Sequence, residues 1–236
     1  LAQIPLDEVR PKGFDATRKG MRSVNWRADK PATLYWAEAN DGGDPNLEVQ
    51  ERDIVYMQSA PFNGKPTKLA STSLRYGGIV WGDENRAWLN EQWWANRMEK
   101  STIIDPSKPG QPGHVIIERA TTDRYNDPGN PMTVKNQYGR NVLKLDKDDV
   151  FMTSVGGSPE GDRPFLSRFN LKTKKQEILF RSEAPYYERP IDIISEKADR
   201  IITIRESQDE PENYFIRDLK KGTLTAITDF PHPQPE

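Results

Sequence analysis

A serine nucleophile needs a sharp turn that presents its hydroxyl, commonly written Gly-x-Ser-x-Gly, with a histidine base and a carboxylate brought to it by the fold. The nearest approach is Gly156-Gly157-Ser158-Pro159-Glu160-Gly161. Glu160 stands where the last glycine belongs, and Pro159 sits where a helix would have to start at once. The segment reads as a Gly/Pro hairpin loop, and Ser158 as a turn residue. The only histidines are His114, in a Gly-Pro-Gly stretch, and His232, in a proline-rich tail. Neither has a Ser and Asp pattern beside it, so both read as exposed loop residues, and no catalytic residue is assigned.

Carboxylates gather in three places: Asp41 and Asp44 with Asn46 around two glycines, Asp146 with Asp148 and Asp149, and Glu206 with Asp209 and Glu210. A calcium loop would alternate its acidic ligands and close on a glutamate, which none of these does. They read as turn formers and solvated loop residues, and no metal or cofactor is expected. The chain has no cysteine, so disulfides, thiolate metal sites and a cysteine nucleophile are excluded.

Six tryptophans lie at 26, 36, 81, 88, 93 and 94. Trp26, Trp36, Trp81 and Trp88 fall in short apolar runs and are expected in the core, with Trp26 and Trp81 at equivalent inner positions. In Trp93-Trp94 the neighbours point to opposite faces of a strand, so one of the two is expected to be exposed, where it could contact a peptide.

The elements that hold these residues repeat. Val24-Asn25-Trp26-Arg27-Ala28-Asp29 runs into Lys30-Pro31 and a second apolar run to Trp36, and Gly78 to Leu89 repeats the arrangement around Asp83, 54 residues beyond Asp29. A period of that size carried by strands and turns points to an all-β fold, a β-propeller. Repeats are expected over about 22–72, 73–120, 142–181 and 186–230. In the first, strands are expected at 24–26, 32–38, 53–58 and 67–71, with Asn63-Gly64 as the clearest turn signal. Residues 121–141, rich in Asp, Asn, Gly and Pro, read as an insertion loop. Propellers typically close with about 4–8 blades. The chain starts without a strand to complete a ring and ends in the linker-like 231–236, so an arc of a larger propeller is expected.

Composition agrees. With 34% of residues hydrophobic and 30% charged, the core must be thin and repeated. A formal net charge of -2 offers no field for nucleic acid or an anionic membrane, and neither partner is expected. No apolar run nears the roughly 20 residues of a membrane span. Leu1-Ala2-Gln3-Ile4-Pro5 lacks an export pattern, so any signal is expected upstream.

Arg22 to Ala39 followed by Asp41-Gly42-Gly43-Asp44 resembles the propeller of the prolyl oligopeptidase family of serine peptidases, and within it the glutamyl endopeptidase-like branch. Pro211 to Phe215 and Leu224 to Pro233 resemble that family's last blade. The resemblance implies an α/β-hydrolase domain following Glu236, which would carry the catalytic triad, and peptide substrates reached through it. It also implies a periplasmic or secreted location if the source is bacterial. If the parent cleaves after glutamate, a cation must meet the substrate carboxylate. Arg27, Arg75, Arg86 and Arg97 are in sequence reach of the blade turns, but surface or blade salt bridges are the favoured reading for all four and none is singled out.

The reading that follows is a non-catalytic propeller that gates peptide access to an active site outside this chain. The rival is a stand-alone binding module that uses Tyr125-Asn126-Asp127 or Trp93-Trp94. A glycan-acting propeller enzyme would need a pair of acidic residues that the sequence does not locate. Open blade faces would favour self-association.

Overall fold

The computed structural model describes residues 5–232. The expectations for Leu1 to Ile4 and for 233–236 lie outside the described residues. The described residues fall into two compact units: those up to Thr122 with Thr133–Lys144, and Asp123–Met132 with those from Leu145 onward.

The first unit holds two four-stranded antiparallel sheets, each ordered as in the sequence. One is β1 (Arg22–Trp26), β2 (Thr33–Ala39), β3 (Asp53–Ser59) and β4 (Thr67–Thr72); the other is β5 (Arg75–Asp83), β6 (Arg86–Trp93), β7 (Met98–Ile104) and β8 (His114–Ala120). This sequential meander is the blade of a β-propeller, and the all-β propeller class holds. Turn chemistry sets the connections. Arg27 forks onto Asp29 at 2.7 and 2.8 Å between β1 and β2, and Arg86 pairs with Asp83 between β5 and β6. Trp36 and Trp88 repeat one another inside the second strands, their indole N–H groups donating to Glu38 and Asn90 two residues on.

Tyr35, Val55, Leu69 and Ala70 of the first sheet pack with Trp81, Ala87, Leu89 and Ile104 of the second in one core cluster. The Tyr35 and Trp81 rings meet edge to face at 5.1 Å, and the Arg27 guanidinium lies 4.7 Å over Trp81. Trp26, expected in the core at a position equivalent to Trp81, is instead 46% exposed against 2% for Trp81. Trp81 is covered by Tyr35 and Arg27 of the preceding sheet. Within this unit β1 pairs on one side only, with β2, and the half-exposed Trp26 ring meets Phe62 edge to face at 6.1 Å. Asn63-Gly64 falls in a bend within the longer 60–66 connection and does not form a two-residue hairpin.

Between the sheets, 121–141 differs from a bare loop. It contains β9 (Asn130–Pro131) and β10 (Thr133–Lys135), and β10 forms a hairpin with β11 (Asn141–Leu143). Val142 and Leu143, expected to open the third repeat, are buried in β11, which packs against β5. Alternation alone cannot tell a hairpin arm from a blade strand.

In the second unit one sheet runs β12 (Leu145–Asp146), β13 (Asp149–Ser154), β14 (Phe165–Asn170) and β15 (Gln176–Arg181), with β9 on β13. The last is β16 (Tyr187–Ile193), β17 (Arg200–Glu206), β18 (Asn213–Asp218) and β19 (Thr223–Ala226). Phe151, Leu166, Ile193, Ala198 and Ile201 form the core between them. Lys221-Gly222 turns the chain from β18 into β19, the Gly222 N–H donating to Asp218 O.

Candidate functional site

In a meander, alternate strands start at the same end of the sheet. The residues opening β1, β3 and β5 are Arg22, Asp53 and Arg75, and that topology brings them together. Asp41, from the β2–β3 loop, and Arg52 complete the group. Arg75 donates from Nη1 to Asp41 Oδ1 at 2.9 Å and to Asp53 Oδ1 at 3.1 Å, while its Nη2 lies 2.8 Å from Asp41 Oδ2. Arg52 Nη1 donates to Asp41 Oδ2 at 2.7 Å and Arg22 pairs with Asp53. The Tyr76 N–H donates to Asp53 Oδ2 at 2.7 Å. Neither aspartate side chain has any exposed surface.

Burial pushes the Asp41 carboxyl up, but hydrogen bonds from Arg75 and the Gly43 N–H, with Arg52, outweigh it and hold the group below the ordinary aspartate value. Burial, with Tyr35 beside it, pushes the Tyr76 phenol well above its usual range. The Trp93 ring lies under the Arg52 guanidinium at 4.3 Å, so this tryptophan turns toward the ionic group. Trp94 turns outward, 49% exposed, with the Arg97 guanidinium 4.2 Å above it.

The N-terminal segment straps this end. The Asp15 carboxylate accepts the Trp94 and Ala95 N–H groups at 2.6 and 2.9 Å, and its carbonyl accepts from Arg75 Nε at 2.6 Å. The Thr17 N–H donates to Gly43 O. A side chain at Gly43, whose φ is +83°, would lie 1.9 Å from Thr17 O, so only glycine admits the strap. A polar cleft of about 270 Å³ remains, lined by Asp15, Thr17, Arg22, Arg75, Gln92 and Trp94. Its guanidinium and amide edges offer donors to an acceptor-bearing group. The network holds no base aimed at a nucleophile. It is an ionic joint between two blades.

The residues read from the sequence as chemical candidates fall elsewhere or into fixed pairs. Ser158 Oγ donates to Gly161 O at 2.6 Å, and its backbone exchanges hydrogen bonds with Gly161 in a tight exposed loop. His114 is exposed and opens β8, rather than lying in a loop. Asp44 caps the Asn46 N–H. Asp146 and Asp149 face Arg168, and Asp148 faces Lys172. Glu210 takes Arg205 and the Tyr186 hydroxyl. Among the described residues no group of three or more His, Asp or Glu side chains is placed to hold a metal. No helix of the described residues is long and apolar enough to cross a membrane. Arg27, Arg75 and Arg86 are committed to aspartates. Arg97 is exposed on Trp94. Tyr125 is exposed, whereas Asn126 donates to Asp123 and Asp127 caps the Gly129 N–H. Asp41, Asp53, Arg22 and Arg52 were missed as a group, because their partners lie up to 34 residues apart and carry no local motif. The available signal was the charge standing at the head of otherwise apolar strands.

No family model matches the chain. Two curated proteins do: the probable chloroplastic glutamyl endopeptidases of Oryza sativa subsp. japonica, 38% identical over 252 residues, and of Arabidopsis thaliana, 37% identical over 253. Both alignments take in 100% of the chain. The chain is related over its whole length to the glutamyl endopeptidase-like proteins. It spans about a quarter of the length of these relatives, 27% and 26% respectively. The resemblance carried by Arg22 to Asp44 thus extends through the four blade-like sheets and the β10–β11 hairpin. Among solved structures, an oligogalacturonate lyase in complex with manganese aligns with 85% of the chain and 51% of its own, at 8% identity and a TM-score of 0.49. Oligopeptidase B from Leishmania major aligns with 87% and 33%, at 6% identity and a TM-score of 0.44. The fold stands on the strand pairings above, independently of these two.

Proposed function

We propose that this chain is a non-catalytic β-propeller portion of a prolyl-oligopeptidase-type serine peptidase, and that it gates peptide access to an α/β-hydrolase active site outside the chain. The observation that carries the reading is the 38% identity spread over the entire chain against only 27% of a glutamyl endopeptidase-like protein. The remaining length of such a protein has room for further blades and for the hydrolase domain. The site geometry supports a passive role. The buried arginines and aspartates at the first unit's strand openings neutralise one another, and Ser158 is held inside its own hairpin. In this reading the propeller discriminates by size, admitting extended or loosely folded peptides and turning folded proteins away.

The test uses the protein of the complete reading frame. Its kcat/KM is measured on a short glutamate-containing peptide and on the same sequence inside a stably folded protein, with and without residues 1–236. The reading expects strong preference for the short peptide, and loss of that preference when the segment is removed while serine-probe labelling of the hydrolase persists. Equal discrimination with and without the segment would refute the gate.

A further inference from the structure

We infer that Asn63 is a site of spontaneous deamidation, which places a new carboxylate beside the exposed Trp26–Phe62 pair. The reaction depends on the backbone nitrogen after an asparagine reaching the side-chain carbonyl carbon. It is fast only where that residue is unhindered and the chain is free to bend. The sequence contains one Asn-Gly pair, Asn63-Gly64, and one Asp-Gly pair, Asp41-Gly42, which can form the same cyclic imide.

The fold treats the two pairs oppositely. Asp41 is fully buried and bound by Arg75, Arg52 and the Gly43 N–H, which keep it ionised. A carboxylate anion is a poor electrophile. Gly42 is fixed at a φ of +65° under the Lys19 side chain. Asn63, in contrast, is exposed in the 60–66 connection, outside any strand. No described contact engages its amide or the Gly64 N–H, and nothing lies within 4 Å of where a Gly64 side chain would begin. Gln58 Nε2 donates to the carbonyls on either side, Phe62 O at 3.1 Å and Gly64 O at 2.6 Å, and leaves the reacting nitrogen untouched.

In the step itself the Gly64 backbone nitrogen gives up its proton and bonds to Asn63 Cγ. The bond from Cγ to the amide nitrogen breaks, and ammonia leaves with the proton. Water then opens the succinimide. Attack at Cγ gives an aspartyl residue; attack at the main-chain carbonyl gives an isoaspartyl residue whose backbone runs through the side chain. Water is the only co-reactant, and nothing is oxidised or reduced. The product adds a negative charge next to Phe62, whose ring lies 6.1 Å from that of Trp26, so an apolar rim becomes an acidic one.

The 236-residue chain is held folded at mildly alkaline pH and physiological temperature, in parallel with the same chain in urea, and peptides are mapped by mass and by isoaspartyl methyltransferase labelling. The expected result in the folded chain is an amide-to-acid mass gain confined to the peptide holding Asn63, as a mixture of aspartyl and isoaspartyl forms. The gain disappears in Asn63→Gln and slows strongly in Gly64→Ala, both with unchanged circular dichroism. Isoaspartyl at residue 41 appears in urea only. An unmodified Asn63 in the folded chain while the unfolded chain reacts to completion would overturn the inference, as would isoaspartyl at residue 41 appearing first in the folded chain.

Discussion

Arg75 pairs with Asp41 across the join between the first and second sheets, Nη1 donating to Oδ1 at 2.9 Å and Nη2 lying 2.8 Å from Oδ2. The pair is buried, and the same guanidinium also meets Asp53. Replacing Arg75 with methionine keeps the volume but leaves two buried carboxylates short of a cation. The expected cost is about 3–5 kcal/mol, read as a lower urea midpoint. A loss under about 1 kcal/mol would mean that the joint is solvated.

The same joint sets an acid limit. The Asp41 carboxyl titrates in the folded chain below its ordinary value of 3.8. Between those two points the unfolded chain binds the extra proton, so the contribution of this group is complete above about pH 4 and is lost as pH falls through the folded value. Stability measured from pH 6 down to pH 2 should fall in that range, and Asp41→Asn should flatten part of the drop. An identical slope in the variant would contradict the assignment.

Trp81 and Trp26 should separate sharply on truncation. Trp81→Ala removes a ring packed on Tyr35 and is expected to cost about 3–5 kcal/mol. Trp26→Ala should cost under about 1 kcal/mol. Trp81 Nε1 is buried with no hydrogen-bond partner among the described residues, so Trp81→Phe should be far milder than Trp81→Ala. Chemical denaturation of the three variants checks the order, and equal losses for Trp26→Ala and Trp81→Ala would restore the sequence reading.

That pair also marks how far the sequence could be read. Strand positions were legible because Asp29-Lys30-Pro31, Asp83-Glu84-Asn85 and Lys221-Gly222 carry turn chemistry that local geometry demands. Burial was not, because Trp26 and Trp81 share a pattern but not a neighbour: only Trp81 has Tyr35 and Arg27 laid over it. Asp41 read correctly as a turn former, since its carboxylate does accept the Gly43 N–H. Its second role depends on Arg75, a partner that only the pairing of sheets supplies. Val142 and Leu143 were assigned to the wrong sheet for the same reason.

Asp15 should govern the turn after β6. Asp15→Ala removes the acceptor from the Trp94 and Ala95 N–H groups, and loss of such a cap costs about 0.5–2 kcal/mol. Amide exchange at Trp94 and Ala95 should accelerate, while exchange in β17 of the second unit stays unchanged. Unaltered exchange at both turn amides would show that the strap is not held there.

Exposed Val24, Trp26 and Phe62 lead us to expect self-association of the isolated chain. Sedimentation equilibrium should show mass rising with concentration, and Trp26→Glu should return the chain to a monomer. A monodisperse monomer at every concentration would argue against the contact.

The central claim, that chemistry lies outside this chain, is tested most directly by fluorophosphonate labelling of the protein of the complete reading frame, with the labelled residue located by peptide mass. The account predicts a label outside residues 1–236, and no label or turnover of a glutamate-containing peptide when the chain is tested alone. A stoichiometric label on Ser158, abolished by Ser158→Ala, would contradict it.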